Sequence, residues 1–139
     1  MSAGRQAPQE ITRDLAAALG AAELDRALSL FDEDGCFVTP DATAVRGPQG
    51  VKAILSQLIA GRVRLRIEPR STRMAGGLAL CGERWTFIYD RGEAAPFVQG
   101  SDSMVLLRRS NRVWRLLIAA PWAIADGDRS PFATMPWPR

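Results

Sequence analysis

Any chemistry this chain performs is done without histidine, because its 139 residues include none. That removes the usual general base near neutral pH and the commonest metal ligand. The two cysteines, Cys36 and Cys81, have no histidine to activate them as nucleophiles. Glycine-rich phosphate loops, metal-ligand spacings and Ser-His-Asp arrangements are missing too, so neither a metal nor a cofactor is expected. What remains is carboxylates, arginines and aromatic rings set into apolar strands. Asp102, in the stretch GSDSMVLL, is the carboxylate in the most apolar setting. Facing an apolar cavity it would have a raised pKa and act as acid or base. The alternative is an Asp paired with an Arg, or one at a bulge beside Gly100. Arg84 can hold an anionic or carbonyl oxygen, or else form a salt bridge at an interface. Thr86 shares its face if the strand alternates regularly. Trp85 and Tyr89 can line a flat ligand or belong to the core.

The composition bounds the setting for these residues. Apolar residues are 47% and charged residues 24%, ordinary for one soluble globular domain of this length. The longest uncharged apolar run, Leu116–Ile124, is too short to span a bilayer. The start, MSAGRQAPQE, has no apolar signal core. A cytoplasmic protein is expected, with a frayed beginning over residues 1–10 and two free thiols in a reducing compartment. Net charge is +3, carried by seventeen Arg and one Lys, a bias typical of a GC-rich bacterial genome. Eight acidic residues lie between Glu10 and Asp41, and five Arg lie in Arg62–Arg73. A basic segment of this kind can attract nucleic acid. Alternating Arg is also what a solvated strand face looks like, and that reading is preferred. Neither a nucleic acid nor a membrane is an expected partner.

The elements follow from periodicity. Ile11, Leu15, Ala18 and Leu19 make one helical stripe within Ala7–Leu19. Leu24, Ala27, Leu28 and Phe31 make a second within Ala22–Phe31, and Asp32, Glu33 and Asp34 mark its stop. Cys36–Thr39 is a short strand halted by Pro40. Asp41–Arg46 is a loop or a second short strand. Gly47 and Pro48 open a third helix, which carries Val51, Ile54, Leu55, Leu58 and Ile59. Val63, Leu65 and Ile67 alternate with arginines in a half-buried strand, and Pro69 puts that strand near an edge. Leu78–Tyr89 is a long strand with Trp85, Phe87 and Tyr89 on one face. Phe97–Arg109 and Val113–Trp122 form an apolar hairpin, expected to be buried on both sides. The tail from Asp126 to Arg139 can be pinned by Phe132 and Trp137.

This order, with ELDRALSLFDEDGCFVTP, the following RG and helix, and the final VLLRRSNRVWRLLIAAPW, resembles the SnoaL-like branch of the nuclear-transport-factor-two superfamily over about Ile11–Trp122. The resemblance implies an α+β fold. A curved, mostly antiparallel sheet of five to six strands wraps a long first helix into a cystatin-like cone, with three helices in all and one domain over 11–125. The open end of the cone is a deep, mostly apolar pocket. In ketosteroid isomerase an Asp base precedes the Pro that resembles Pro40, and this chain has Thr39 there. The family's oxyanion Tyr falls near Leu15. In limonene epoxide hydrolase the strand resembling CGERWT carries Glu-Arg and then Asp; here Glu83 and Arg84 are followed by Thr86. A second Asp is replaced at Ala119. The usual acid and base positions are therefore empty.

Two functions stand at this point. One is a pocket protein for an apolar small molecule, a cofactor-independent cyclase or isomerase acting on a polyketide-like or terpenoid substrate. Asp102 and Arg84 are then the expected catalytic residues, and Thr39, Trp85, Thr86, Tyr89, Ala119 and Trp122 the expected ligand contacts. The other is a non-catalytic ligand-binding or dimerisation module. In either case the outer face of the sheet exceeds what three helices cover, so a homodimer is expected.

Overall fold

In the computed structural model, which describes residues 7–90, 92, 96–125 and 137, helix α1 (Pro8–Gly20) is followed by α2 (Leu24–Ser29), β1 (Phe31–Val38) and β2 (Ala44–Arg46). Then come α3 (Gly47–Ala60), β3 (Arg64–Ala75), β4 (Leu78–Tyr89), β5 (Phe97–Ser110) and β6 (Val113–Ala125). Most of the frayed start and of the tail expected from the sequence lies outside the described residues, Phe132 included. Among those residues no helix is long and apolar enough to cross a membrane.

Proline at its first position suits the opening of α1, where the missing N–H costs nothing. Its stripe of Ile11, Leu15 and Ala18 is fully buried, and Leu19 nearly so. The six strands form one sheet in the order β2-β1-β6-β5-β4-β3. The β1–β6 pair is parallel and every other pair antiparallel. Helix α1 touches both β3 and β6, which lie three strands apart. Three inter-strand spacings make roughly 14 Å, more than the diameter of a helix, so the sheet must curl around α1. The result is an α+β cone with α1 in its concavity. Helix α3 packs on β1 and on α2.

The second helix is shorter than its periodicity predicts and the first strand longer. Phe31 leaves the helix because the backbone there is taken by β6: Leu116 N–H donates to the Leu30 carbonyl at 2.8 Å. Between Phe31 and Cys36 the register against β6 shifts, with five residues on β1 spanning two on its partner. The acidic cluster Asp32–Asp34 occupies this bulge instead of ending a helix. Gly35 makes the bulge fit. A Cβ there would lie 2.8 Å from the Asp32 carbonyl oxygen and 2.9 Å from that of Leu116, both backbone atoms.

The long β5–β6 hairpin turns at Asn111 and Arg112, both with positive φ (53° and 65°). That is the tight mirror-image turn whose twist matches the strands. Strand β3 is an edge, and its register slips at Pro69. Arg64 and Arg66 point to solvent between half-buried Leu65 and Ile67. The expectation that the β5–β6 hairpin is covered on both sides does not hold within one chain. Its concave side is buried, but Met104 and Ile118 on the outer side are 43% and 38% exposed.

Candidate functional site

Strand alternation decides which side chains enter the cone. On β4 the odd positions Cys81, Glu83, Trp85 and Phe87 are buried and the even ones face outward. The register places Glu83 opposite Ser103, Trp85 opposite Ser101, and Phe87 opposite Gln99. These six residues are all buried, so a polar row on β5 faces a carboxylate and two aromatic rings on β4.

Glu83 is 2% exposed. Thr12 of α1 donates its hydroxyl to Glu83 Oε2 at 2.7 Å, and the Trp85 indole N–H donates to Oε1 at 2.8 Å. Burial pushes the Glu83 carboxyl above the usual range, and the two neutral donors offset this only in part. Ser103 donates to the Pro121 carbonyl. Ser101 Oγ, fully buried, has no hydrogen-bond partner among the described residues.

Aromatic rings close the wall above this row. Phe87 stacks on Trp122 at 4.7 Å and 12°, Trp85 lies 6.0 Å from Phe87, and Phe37 meets Trp122 edge-on at 6.0 Å. Trp137 meets Trp122 at a tilt, with ring centroids 5.6 Å apart. Ala119 is fully buried on the concave face beside Phe37.

Asp102 and Arg84, expected to be catalytic, lie outside the cone. They face each other across β4 and β5 on the outer surface. Arg84 Nη1 donates to Asp102 Oδ1 at 3.1 Å, and the Asp102 side chain is 63% exposed. The cavity role expected for this pair is therefore corrected. Each is one residue away from an inward position, and a one-residue step on a strand reverses the face. Thr86 shares the outer face with Arg84, opposite Gly100, so its role as a ligand contact is corrected for the same reason. Trp85, Ala119 and Trp122 do point into the cone. Tyr89 is half-buried against the core at the end of β4. Thr39 is buried in a turn, where its hydroxyl donates to the Asp41 carboxylate and its N–H to the Thr43 carbonyl at 2.9 Å. It lines a hollow of about 100 Å³ with Trp122 and Val38.

Glu83, Ser101 and Gln99 were not singled out as site residues from the sequence. A signal was present: Trp85 and Phe87 mark the buried face of β4, and Glu83 has their parity.

A second buried carboxylate has the opposite electrostatics. Burial raises the Asp32 pKa, but Arg108 outweighs it with bonds from Nε to Oδ2 at 3.1 Å and from Nη2 to Oδ1, helped by the Asp34 N–H. The net shift is downward. Asp32 is thus held as an anion, whereas Glu83 has neutral partners. Clefts of about 450 Å³ at Leu19, Arg62 and Asp90, and of about 630 Å³ at Phe31, Asp32 and Arg108, do not reach Glu83 or Ser101. Among the described residues no group of three or more Cys, Asp or Glu side chains is arranged to hold a metal ion.

A curled sheet around a first helix, with an apolar interior holding a few polar groups, defines a cone-type α+β domain. Residues 12–128 match the SnoaL-like domain, and the chain belongs to that family. Solved structures share the fold at low identity. A ketosteroid isomerase-like protein from Erwinia carotovora atroseptica superposes with a TM-score of 0.68 at 13% identity, over 81% of this chain and 89% of that one. A Nostoc punctiforme protein with a cystatin-like fold gives 0.66 at 14%, over 80% and 84%. A Streptomyces avermitilis protein of the NTF2-like family, proposed to be a dehydratase, gives 0.66 at 13%, over 81% and 90%. No curated protein sequence matches the chain.

Proposed function

We propose that the cone binds an apolar small molecule of polyketide-like or terpenoid character, and that Glu83 moves a proton on it in an isomerase- or dehydratase-type reaction without a cofactor. The observation that carries this reading is the placement of Glu83 on the buried concave face with neutral partners. A carboxylate made more basic by burial can take a proton from a carbon next to a carbonyl and return it to a neighbouring carbon. The SnoaL-like fold supports ligand binding and chemistry of this kind, and its structural relatives include an isomerase-like protein and one proposed to be a dehydratase.

The test is proton transfer in cyclic β,γ-unsaturated ketones, followed by NMR in heavy water. Glu83→Gln keeps the size of the side chain and removes the base. Turnover is expected to fall about a hundredfold or more while ligand affinity changes less. A second reading, a non-catalytic ligand-binding module, is favoured by the fact that both Glu83 oxygens already accept a bond, one of them from α1. Glu83 is then a brace between helix and sheet. In that case Glu83→Gln lowers stability and leaves ligand binding intact, and no ketone is turned over.

The proposal extends to assembly. Leu80, Leu106 and Ile118 stand in one row across the outer face, with Met104 and Ala120 in the next. Leu80, Met104 and Ile118 are 42%, 43% and 38% exposed, and a second copy seated on this band would cover them. A cytoplasmic setting suits the two free thiols, Cys36 and Cys81.

A further inference from the structure

The turn of the β5–β6 hairpin reads RRSNRVWR, four arginines in eight residues. Three of them, Arg108, Arg109 and Arg115, line the cleft of about 630 Å³ that does not reach Glu83 or Ser101. A volume of this size is typical of small-molecule sites. Strand pairing sets Arg108 directly opposite Arg115, where like charges repel. The β1 bulge relieves only Arg108, whose Nε and Nη2 donate to Asp32 and Asp34. Arg115 is half-buried and makes no hydrogen bond or ion pair among the described residues. The Arg109 guanidinium lies 5.3 Å from the Trp114 ring centroid. That contact anchors it by cation–π attraction, and its N–H donors are likewise unbonded among the described residues. Each guanidinium presents a fork of such donors. Of the carboxylates lining the cleft, Asp32 has both oxygens on Arg108, and Glu33 stands exposed. The cleft therefore offers more donors than acceptors, and two positive charges that no bond neutralises. Leu28 and Phe31 line its apolar side and pack with the core.

We infer that this cleft is a binding site apart from the cone interior, for a phosphomonoester on a small apolar body. Arg109 and Arg115 donate to the phosphate oxygens, and Leu28 and Phe31 meet the body. A phosphomonoester brings acceptor oxygens without needing donors in return, and near neutral pH its charge approaches two negatives, which matches the two arginines. Guanidinium–phosphate bonds are charge-assisted and often two-pronged, so they are among the stronger hydrogen bonds. The inference does not rest on the cone as a ligand cavity or on Glu83.

The experiment is calorimetric titration of the full chain near neutral pH with phenyl phosphate, phenyl sulfate and inorganic phosphate. Phenyl phosphate should bind best, phenyl sulfate more weakly because it carries a single charge, and inorganic phosphate more weakly because it lacks the ring. Arg109→Gln and Arg115→Gln should each weaken phenyl phosphate about tenfold or more, the range for a hydrogen bond to a charged group. Arg73→Gln removes the same charge from an exposed position on β3 and should keep the wild-type affinity. Circular dichroism reports whether each variant keeps its fold. If Arg115→Gln does not, Arg115→Lys, which keeps the charge and loses the fork, is read instead and should still weaken binding. No binding of phenyl phosphate at millimolar concentration overturns the site, as does an affinity that the Arg109 and Arg115 variants leave unchanged. An equal loss in Arg73→Gln means diffuse surface attraction and overturns it too. Phenyl sulfate bound as tightly overturns the doubly charged class, and inorganic phosphate bound as tightly overturns the apolar body. The reading of Glu83 stands or falls separately, on ketone turnover.

Discussion

Glu83 and Asp32 are both buried carboxylates, and the sign of their pKa shifts separates their roles. The folded Glu83 value lies above its unfolded one, so its contribution is fully present below the ordinary carboxylate range. It is lost as pH rises through the raised folded value. Glu83→Gln should therefore flatten the decline of stability with rising pH in mildly acidic solution, measured by denaturant unfolding at a series of pH values. Asp32 works the other way. Its depressed value means stability present above the unfolded pKa and lost as pH falls through the folded one, and Asp32→Asn should remove that acid-side loss. Thr12→Val leaves Glu83 Oε2 without its donor, which should lower stability by about 1–3 kcal/mol, the range for an unsatisfied buried polar group. Asp102→Asn acts on an exposed outer pair, so turnover and ligand affinity should stay at the wild-type level.

At the scale of elements, α1 is the part the sheet closes upon. Leu15 is fully buried in the concavity, and Leu15→Ala should cost about 2–5 kcal/mol in equilibrium unfolding. The β1 bulge is the other tight point. The atoms nearest a Cβ at position 35 are backbone oxygens of β1 and β6, which cannot swing aside as a side chain can. Gly35→Ala should destabilise by about 1–3 kcal/mol, as overpacking does. The bulge also presents Asp32 and Asp34 to Arg108, so a misfit at Gly35 should weaken that cluster, bring the Asp32 pKa back toward its unfolded value and flatten the acid-side loss.

The whole molecule leaves an apolar band on the convex side of the sheet, centred on Leu80, Met104 and Ile118. Light scattering at micromolar concentration should report a dimer. Ile118→Glu should shift it to monomer by placing a charge where a second copy would cover it. A wild-type chain that stays monomeric at millimolar concentration would reject the dimer. The Arg84–Asp102 pair flanks the band, where an ion pair at the rim adds specificity more than affinity.

Local spacing was enough to read the polar turn between β5 and β6, and the helical stripes of α1 and α3 and the alternation on β4, because each of these repeats with the period of its own backbone; the SnoaL-like fold was implied by the resemblance of whole phrases of the sequence to that family. The same resemblance implied that the family's acid positions hold Thr39, Thr86 and Ala119 here. The length of β1 was not legible, because Phe31 continues the helical stripe and only the Leu116 N–H draws the chain into the sheet. Nor was the choice between Glu83 and Arg84, or between Asp102 and its neighbours Ser101 and Ser103. Alternation tells which residues share a face but not which face turns inward; the aromatic pair Trp85 and Phe87 hinted at it, and closure of the sheet around α1 decided it. Curvature is a property of six strands pairing together, so the side of the sheet on which a carboxylate meets Thr12, 71 residues earlier in the chain, comes from the tertiary structure alone.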